Sequence, residues 1–311
     1  MKLQSAIEYL STYGWTILII AVVIGAMYQL GVFGSSTSAP RAIPGSCKVF
    51  RPNGPGTNAY INLAGVCVGQ LPQFVAQFNG QQGKGVTSYI DLKGTQNMNY
   101  YNITMVAWVD EYGMATNAYP GILSKATGNN PCEGYEITGG ATASSTQVCL
   151  QVGNGASQAS GGSWETCSST NPYPLNTWHQ VVGAVTSNSN TYLWLYIDGK
   201  LVGSSTKTAN TIAFLTSNDF LVSGRYWNSF LNYPAFNGSI ANVQIYNATL
   251  DASEVQSLYA EGIGGAPINL PYLVGWWPLN GNSNDYSGNN YNGAAASVAY
   301  IASWTSGYMG H

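Results

Sequence analysis

The chain has 311 residues, 7% of them charged, and a net charge of −3 at neutral pH. Charged residues usually make up ~25% of a globular domain, so this surface relies on amides and hydroxyls and offers no basic face for nucleic acid or acidic lipid. Aromatics at 13% and the small net charge exclude disorder. A surface that changes so little with pH suits an extracellular life in acid or a densely packed assembly.

The first predicted element is a helix. Nothing between Glu8 and Arg41 is charged, and from Thr16 to Leu30 only Thr16 and Gln29 are markedly polar. As one helix, Met1–Phe33 would measure roughly 45–50 Å at ~1.5 Å per residue, enough to cross a bilayer. A carboxylate near the end of such a helix is costly in hydrocarbon, so Glu8 should have a partner or a task. Lys2 provides the basic start of a secretory signal, but Glu8, Tyr9, Tyr13 and Trp15 intrude where a leader turns apolar. A plain single-span anchor is the simplest alternative.

Gln4-Ser5-Ala6-Ile7-Glu8-Tyr9-Leu10, followed by Thr12-Tyr13-Gly14-Trp15, resembles the start of archaeal type IV pilins. In that family a short basic leader is removed and the apolar helix stays in the mature subunit. The resemblance implies cleavage after Leu3, with Gln4 as the first residue and Glu8 as the fifth. It further implies that Glu8 pairs with the free amino terminus of a neighbouring subunit.

Gly34 to Pro44 is rich in Ser, Ala and Pro and reads as a linker. The remainder is long enough for one large β domain. Its five cysteines show no Cys-x-x-Cys pair, so disulfides are expected of an exported chain rather than a zinc site. Cys47 and Cys67 bracket two short strands around Asn53-Gly54-Pro55-Gly56. Cys149 and Cys167 could face each other across a hairpin with a loop from Gly153 to Gly162, and pairings using Cys132 remain open. Asn102, Asn237 and Asn247 each begin an N-glycosylation tripeptide.

Alternating stretches then recur between Gly, Asn and Pro clusters: Gln73–Phe78, Ser88–Leu92, Thr104–Val109, Tyr135–Thr138, Val148–Val152, His179–Val185, Tyr192–Ile197, Phe220–Ser223 and Ser239–Tyr246. This spacing predicts an antiparallel sandwich. Asp198-Gly199 is a hairpin signal, because type I′ turns favour Asp-Gly. One helix is predicted over Ala252–Tyr259, capped by Asp251 or Ser253 and ended by Gly262.

Several segments resemble, in order, the concanavalin A-like, laminin-G-type jelly roll: Phe78-Asn79-Gly80, Ala107-Trp108-Val109, Ile122-Leu123-Ser124-Lys125, Asn176 to Val182, Leu195 to Gly199, and Phe236 to Tyr246 running into the helix. Val274 to Asn290, with Trp276-Trp277-Pro278-Leu279, looks like that family's opening strand and loop, yet it follows the helix. A circularly permuted domain is implied, closed within the subunit or across a neighbour's sheet edge.

Catalytic signals are thin. Glycoside hydrolases need two facing carboxylates ~5–9.5 Å apart, and facing residues on a strand sit at i and i+2. Asp110 and Glu111 are neighbours, Glu133 and Glu136 are three apart, and Glu165 stands alone beside Trp164. His179 shows no nucleophile-type partner. Asp285 with Asn282, Asn284 and backbone carbonyls would supply oxygen ligands of the kind calcium takes, although Asn-rich turns also satisfy their own backbone. Tyr226, Trp227, Tyr233 and Trp304 could stack on sugars, or pack within the core.

The two resemblances together imply a fold that is α+β by segments. Residues 1–33 would be leader plus polymerisation or transmembrane helix, 34–46 linker, and 47–311 a laminin-G-like jelly roll. The chain would be a structural subunit of an archaeal extracellular type IV pilus-like filament, inserted in the membrane before it joins identical subunits in a helical homopolymer. Its outer domain would adhere to glycans or cell surfaces. Competing readings are a membrane-anchored glycan-binding lectin that does not polymerise, an archaellum subunit, and a surface glycosidase. Neither enzymatic activity nor a resident cofactor is expected.

Overall fold

The computed structural model describes residues 17–23, 47–50, 60–63, 72, 74–80, 88–113, 119–128, 132–139, 147–209, 211–227, 230–231 and 236–301. The chain divides into two units, Met1–Arg41 and Ala42–His311.

The long helix expected over Met1–Phe33 is overturned, and with it the α+β reading: the molecule is nearly all β. Among the described residues helix α1 covers 17–23, and no helix there is long and apolar enough to cross a membrane. Hydropathy scores apolar content and not backbone conformation, so an apolar run does not by itself fix the length of a helix. Within α1, Ile17, Ile19, Ile20, Val22 and Val23 are β-branched, a class with slightly lowered helix propensity. The large side chains of α1 are 49–65% exposed. Gln4 and Glu8 lie outside the described residues, so the pairing expected of Glu8 does too.

In the second unit, β1 (Cys47–Phe50) and β2 (Tyr60–Leu63) form an antiparallel hairpin. The sandwich follows with β3 (Val75–Asn79), β4 (Tyr89–Leu92), β5 (Asn102–Glu111), β6 (Gly121–Gly128), β7 (Cys132–Thr138), β8 (Cys149–Gly153) and β9 (Ser163–Cys167). It continues through β10 (Trp178–Ser187), β11 (Thr191–Ile197), β12 (Lys200–Lys207), β13 (Phe220–Val222), β14 (Tyr226–Trp227), β15 (Phe230–Leu231) and β16 (Asn237–Tyr246). Helix α2 (Ala252–Glu261) and strands β17 (Leu273–Trp277), β18 (Gly293–Ala296) and β19 (Ala299–Ile301) complete it.

One sheet runs β12-β11-β10-β5-β16-β3-β19, with β17 also paired to β16. The other runs β18-β4-β13-β6-β7-β8-β9, with β14 and β15 at its side. Period-two alternation assigns the faces. On β5, Ile103, Met105, Ala107 and Val109 enter the core between the sheets, against Ile90, Leu92, Leu123, Ile137, Leu150 and Phe220 of the second sheet. The alternate residues turn outward: Val106 packs with Val255 and Leu258 of α2, and the Trp108 ring stacks on Tyr259 at 5.7 Å. Both faces of β5 are therefore covered, which explains why it is buried from Ile103 to Glu111.

Local chemistry fixes the turns. Asp198 (φ 50) and Gly199 (φ 72) take the two positive φ angles that a type I′ turn requires. A Cβ at Gly199 would also lie 3.1 Å from Tyr259 Cβ. Helix α2 opens with a complete capping box: Asp251 Oδ1 accepts from the Ser253 and Glu254 amides, and Glu254 Oε2 accepts from the Asp251 amide.

The segment after α2 closes the sandwich within the chain. Val243, Gln244 and Ile245 of β16 face Trp277, Trp276 and Gly275 of β17, while residues 237–240 of β16 pair with β3. Strand β18 then joins β4 in the other sheet. Trp277 enters the core, and Trp276 Nε1 donates to Asn242 Oδ1 at 2.9 Å.

Candidate functional site

The face of β6–β9 turned away from the core carries a polar row. Ser124 lies opposite Glu136, Glu136 opposite Gln151, and Gln151 opposite Glu165. Beside it runs a second row, Thr138, Cys149 and Cys167. Their neighbours Tyr135, Ile137, Leu150 and Val152 occupy the core, so alternation alone places both rows on the outer face.

Glu136 is 1% exposed and would be prohibitively unstable there without a counter-charge. Arg225, delivered by the segment between β13 and β14, supplies it: Nη2 donates to Glu136 Oε1 at 2.5 Å. Ser124 Oγ donates to Oε2 at 3.0 Å. Beside Arg225 opens a groove of about 340 Å³, lined among others by Tyr119, Gln147, Gln151, Gln158, Glu165 and Arg225. Tyr119 is 47% exposed at its edge. Trp164 also lines the groove but packs against the core.

A disulfide joins Cys149 to Cys167 across β8 and β9. Both sulfurs lie within 4.8 Å of a Glu165 carboxylate oxygen. Cys132 is a buried thiol, pushed up in pKa mainly by that burial. Cys47 starts β1, while Cys67 lies outside the described residues, as does any bond between them.

Asp285 is buried, and each of its oxygens faces donors. Oδ1 accepts from the Trp276 and Ser287 amides, and Oδ2 from Ser287 Oγ and the Tyr291 amide, all at 2.8–3.1 Å. Its carboxylate ties the loop after β17 together rather than facing open space. Asn284 donates its amide to Asn282 Oδ1 in a local turn. Asn102 and Asn247 are exposed, whereas Asn237 is half-buried with its Nδ2 donating to the Gly113 carbonyl.

His179 has a hydroxyl neighbour, which is not of the nucleophile type. Its Nδ1 meets Asp198 Oδ2 at 2.7 Å and its Nε2 meets Thr177 Oγ1 at 2.8 Å, with Tyr173 stacked on the ring at 4.6 Å. Thr177 Oγ1 donates its proton to the Pro174 carbonyl at 2.6 Å. The hydroxyl therefore has no proton left for the imidazole, unlike a triad nucleophile. Tyr173 also donates to Glu111 Oε2 at 3.2 Å. Burial pushes the Glu111 carboxyl up to about 7, against the lowering effect of Tyr173.

The sequence reading did not weigh Asp91 on β4 or Asp219 before β13. Burial first, with the negative charge of Asp219 contributing, raises the Asp91 pKa. Lys93 pairs with Asp91, and Asp219 Oδ1 accepts from the Gln96 amide at 2.9 Å. Tyr226, weighed as a stacking ring, is buried against Leu215 and Leu221. The side chains of Trp227, Tyr233 and Trp304 lie outside the described residues.

Residues 83–256 match the family described as the concanavalin A-like lectin/glucanases superfamily, more than half of the chain. The chain belongs to that superfamily. The match stops within α2, so β17–β19 lie beyond it. It also leaves out residues 1–82. No curated protein matches the sequence. Among solved structures, a proposed carbohydrate-binding protein from Bacteroides ovatus is similar at 15% identity and TM-score 0.50, with 79% of this chain and 64% of that one covered. A heptameric SAP-like pentraxin from Limulus polyphemus is similar at 12% identity and TM-score 0.49, covering 74% and 94%. The likeness to the Bacteroides structure is one of fold.

Proposed function

We propose that this superfamily member is a glycan-binding module displayed at the cell surface, and that the groove over β7, β8 and β9 holds the sugar. The groove itself carries the reading. It is within the ~300–1,000 Å³ range of small-ligand sites, and it is lined by amides, a carboxylate and an exposed tyrosine. Amides and hydroxyl groups exchange both donors and acceptors. Membership of a superfamily described by its lectins supports the reading, as does the description of the Bacteroides protein as carbohydrate-binding.

Binding without hydrolysis fits the acids. Glu136 is consumed by Arg225, and the groove lining holds a single carboxylate, Glu165, among the described residues, where a glycosidase needs two. Glycan-array binding by the full chain tests the proposal. Gln151→Ala should weaken the best ligand about tenfold, and turnover of any bound polysaccharide would refute a purely binding role.

The exposed apolar side chains of α1 favour a second reading, in which that segment attaches the module to a filament of identical subunits. Imaging native cell surfaces for filaments decorated with outer domains, present in the parent strain and lost in Glu8→Ala, would support it. Normal filaments in Glu8→Ala would remove Glu8 from that role.

A further inference from the structure

Resting on the glycan reading of this groove, we infer that its ligand is an uncharged sugar with neighbouring hydroxyls, held by Glu165, and not an acidic one. Arg225 is the single Lys, Arg or His lining the groove among the described residues, and it is already committed. Its side chain is 7% exposed, and Nη2 donates to Glu136 at 2.5 Å. The Glu136 carboxylate already offsets its charge, and pulling the guanidinium away would strand Glu136, which is 1% exposed, as an unpaired buried charge. Glu136 and Arg225 cancel, so Glu165 leaves the groove with one negative formal charge. A sialic acid, uronate or sulfate bound beside Glu165 would meet like charge, with no uncompensated cation among the described lining residues to offset it.

The remaining polar groups match neutral hydroxyls. Glu165 is exposed at the centre of β9, opposite Gln151. A carboxylate is an acceptor only, and its two oxygens can take the protons of two adjacent hydroxyls. Gln147, Gln151 and Gln158 add amides that both donate and accept. The Cys149–Cys167 bridge fixes the backbone on either side of this arrangement, with both sulfurs within 4.8 Å of the carboxylate. The low charge of the whole chain, ten Lys and Arg against thirteen Asp and Glu, supplies no compensating field for an anionic polymer.

The test uses the full chain against paired panels: neutral gluco-, galacto- and manno-oligosaccharides beside sialylated, uronate-containing and sulfated ones. Binding confined to neutral sugars is expected. Glu165→Gln should weaken it at least tenfold with an unchanged melting temperature, and Glu165→Lys should shift preference toward acidic glycans. Acidic binding by the unaltered chain would overturn the ligand class and leave the groove as a glycan site. Neutral binding undiminished in Glu165→Gln would overturn the assignment of Glu165. Binding to neither panel would overturn the glycan reading itself, and the ligand class with it.

Discussion

Glu111 shows how a single residue acquires behaviour its neighbours in sequence do not announce. It is 1% exposed, and its one hydroxyl donor, Tyr173, comes from 62 residues away. Its folded pKa of about 7 lies above the ordinary value of 4.5. Between those limits the folded state holds a proton that the unfolded state has lost, so stability is full below about pH 4.5 and declines as pH rises toward 7. Thermal melts across that range should show the decline, at most ~3 kcal/mol, and Glu111→Gln should flatten it. Lys125 runs the other way. Burial lowers it to about 8, so its unfavourable charge is relieved, and stability gained, as pH rises from about 8 toward 10.5. Lys125→Met should remove that alkaline gain. Neither shift was legible in sequence, because desolvation depends on which distant strands cover a side chain.

At the scale of elements, the legible parts were those with strong periodicity or turn chemistry. Strands such as Thr191–Ile197 alternate clearly, and Asp198-Gly199 and the Asp251 box announce themselves. Strand β18 reads Gly-Ala-Ala-Ala and β9 is half-exposed, so neither shows a period. The helix expected over Met1–Phe33 was over-read for the opposite reason: hydropathy reports apolar content and not backbone conformation. The Cys149–Cys167 bridge closes a loop of sequence separation 18, so replacing both cysteines by serine should cost roughly 3 kcal/mol in a denaturant titration. Asp251→Ala should cost about 1 kcal/mol. Asp285→Ala, which strips four donors of their acceptor and loosens the closing strand β17, should destabilise more than Asp251→Ala in the same titration.

At the scale of the molecule, the jelly roll was visible in sequence because its motifs follow the chain. The groove was not, because it gathers residues from Tyr119 to Arg225 that only sheet register aligns. Glu165 looked solitary for that reason; in the sheet it faces Gln151, with Glu136 and Arg225 beyond. Sequence reading placed binding in loose aromatics instead, and Tyr226 turned out to be core. Strand β17, expected to close on its own subunit or a neighbour's, pairs with β16 of the same chain. That pairing leaves the outer face of β6–β9 as the place where amides, a carboxylate and a sealed ion pair meet an open groove. A crystal of the full chain soaked with the neutral oligosaccharide it binds best tests this most directly. Sugar density hydrogen-bonded to Gln151 and Glu165 is the expected result, and well-ordered sugar elsewhere on the sandwich, with the groove empty, would contradict it.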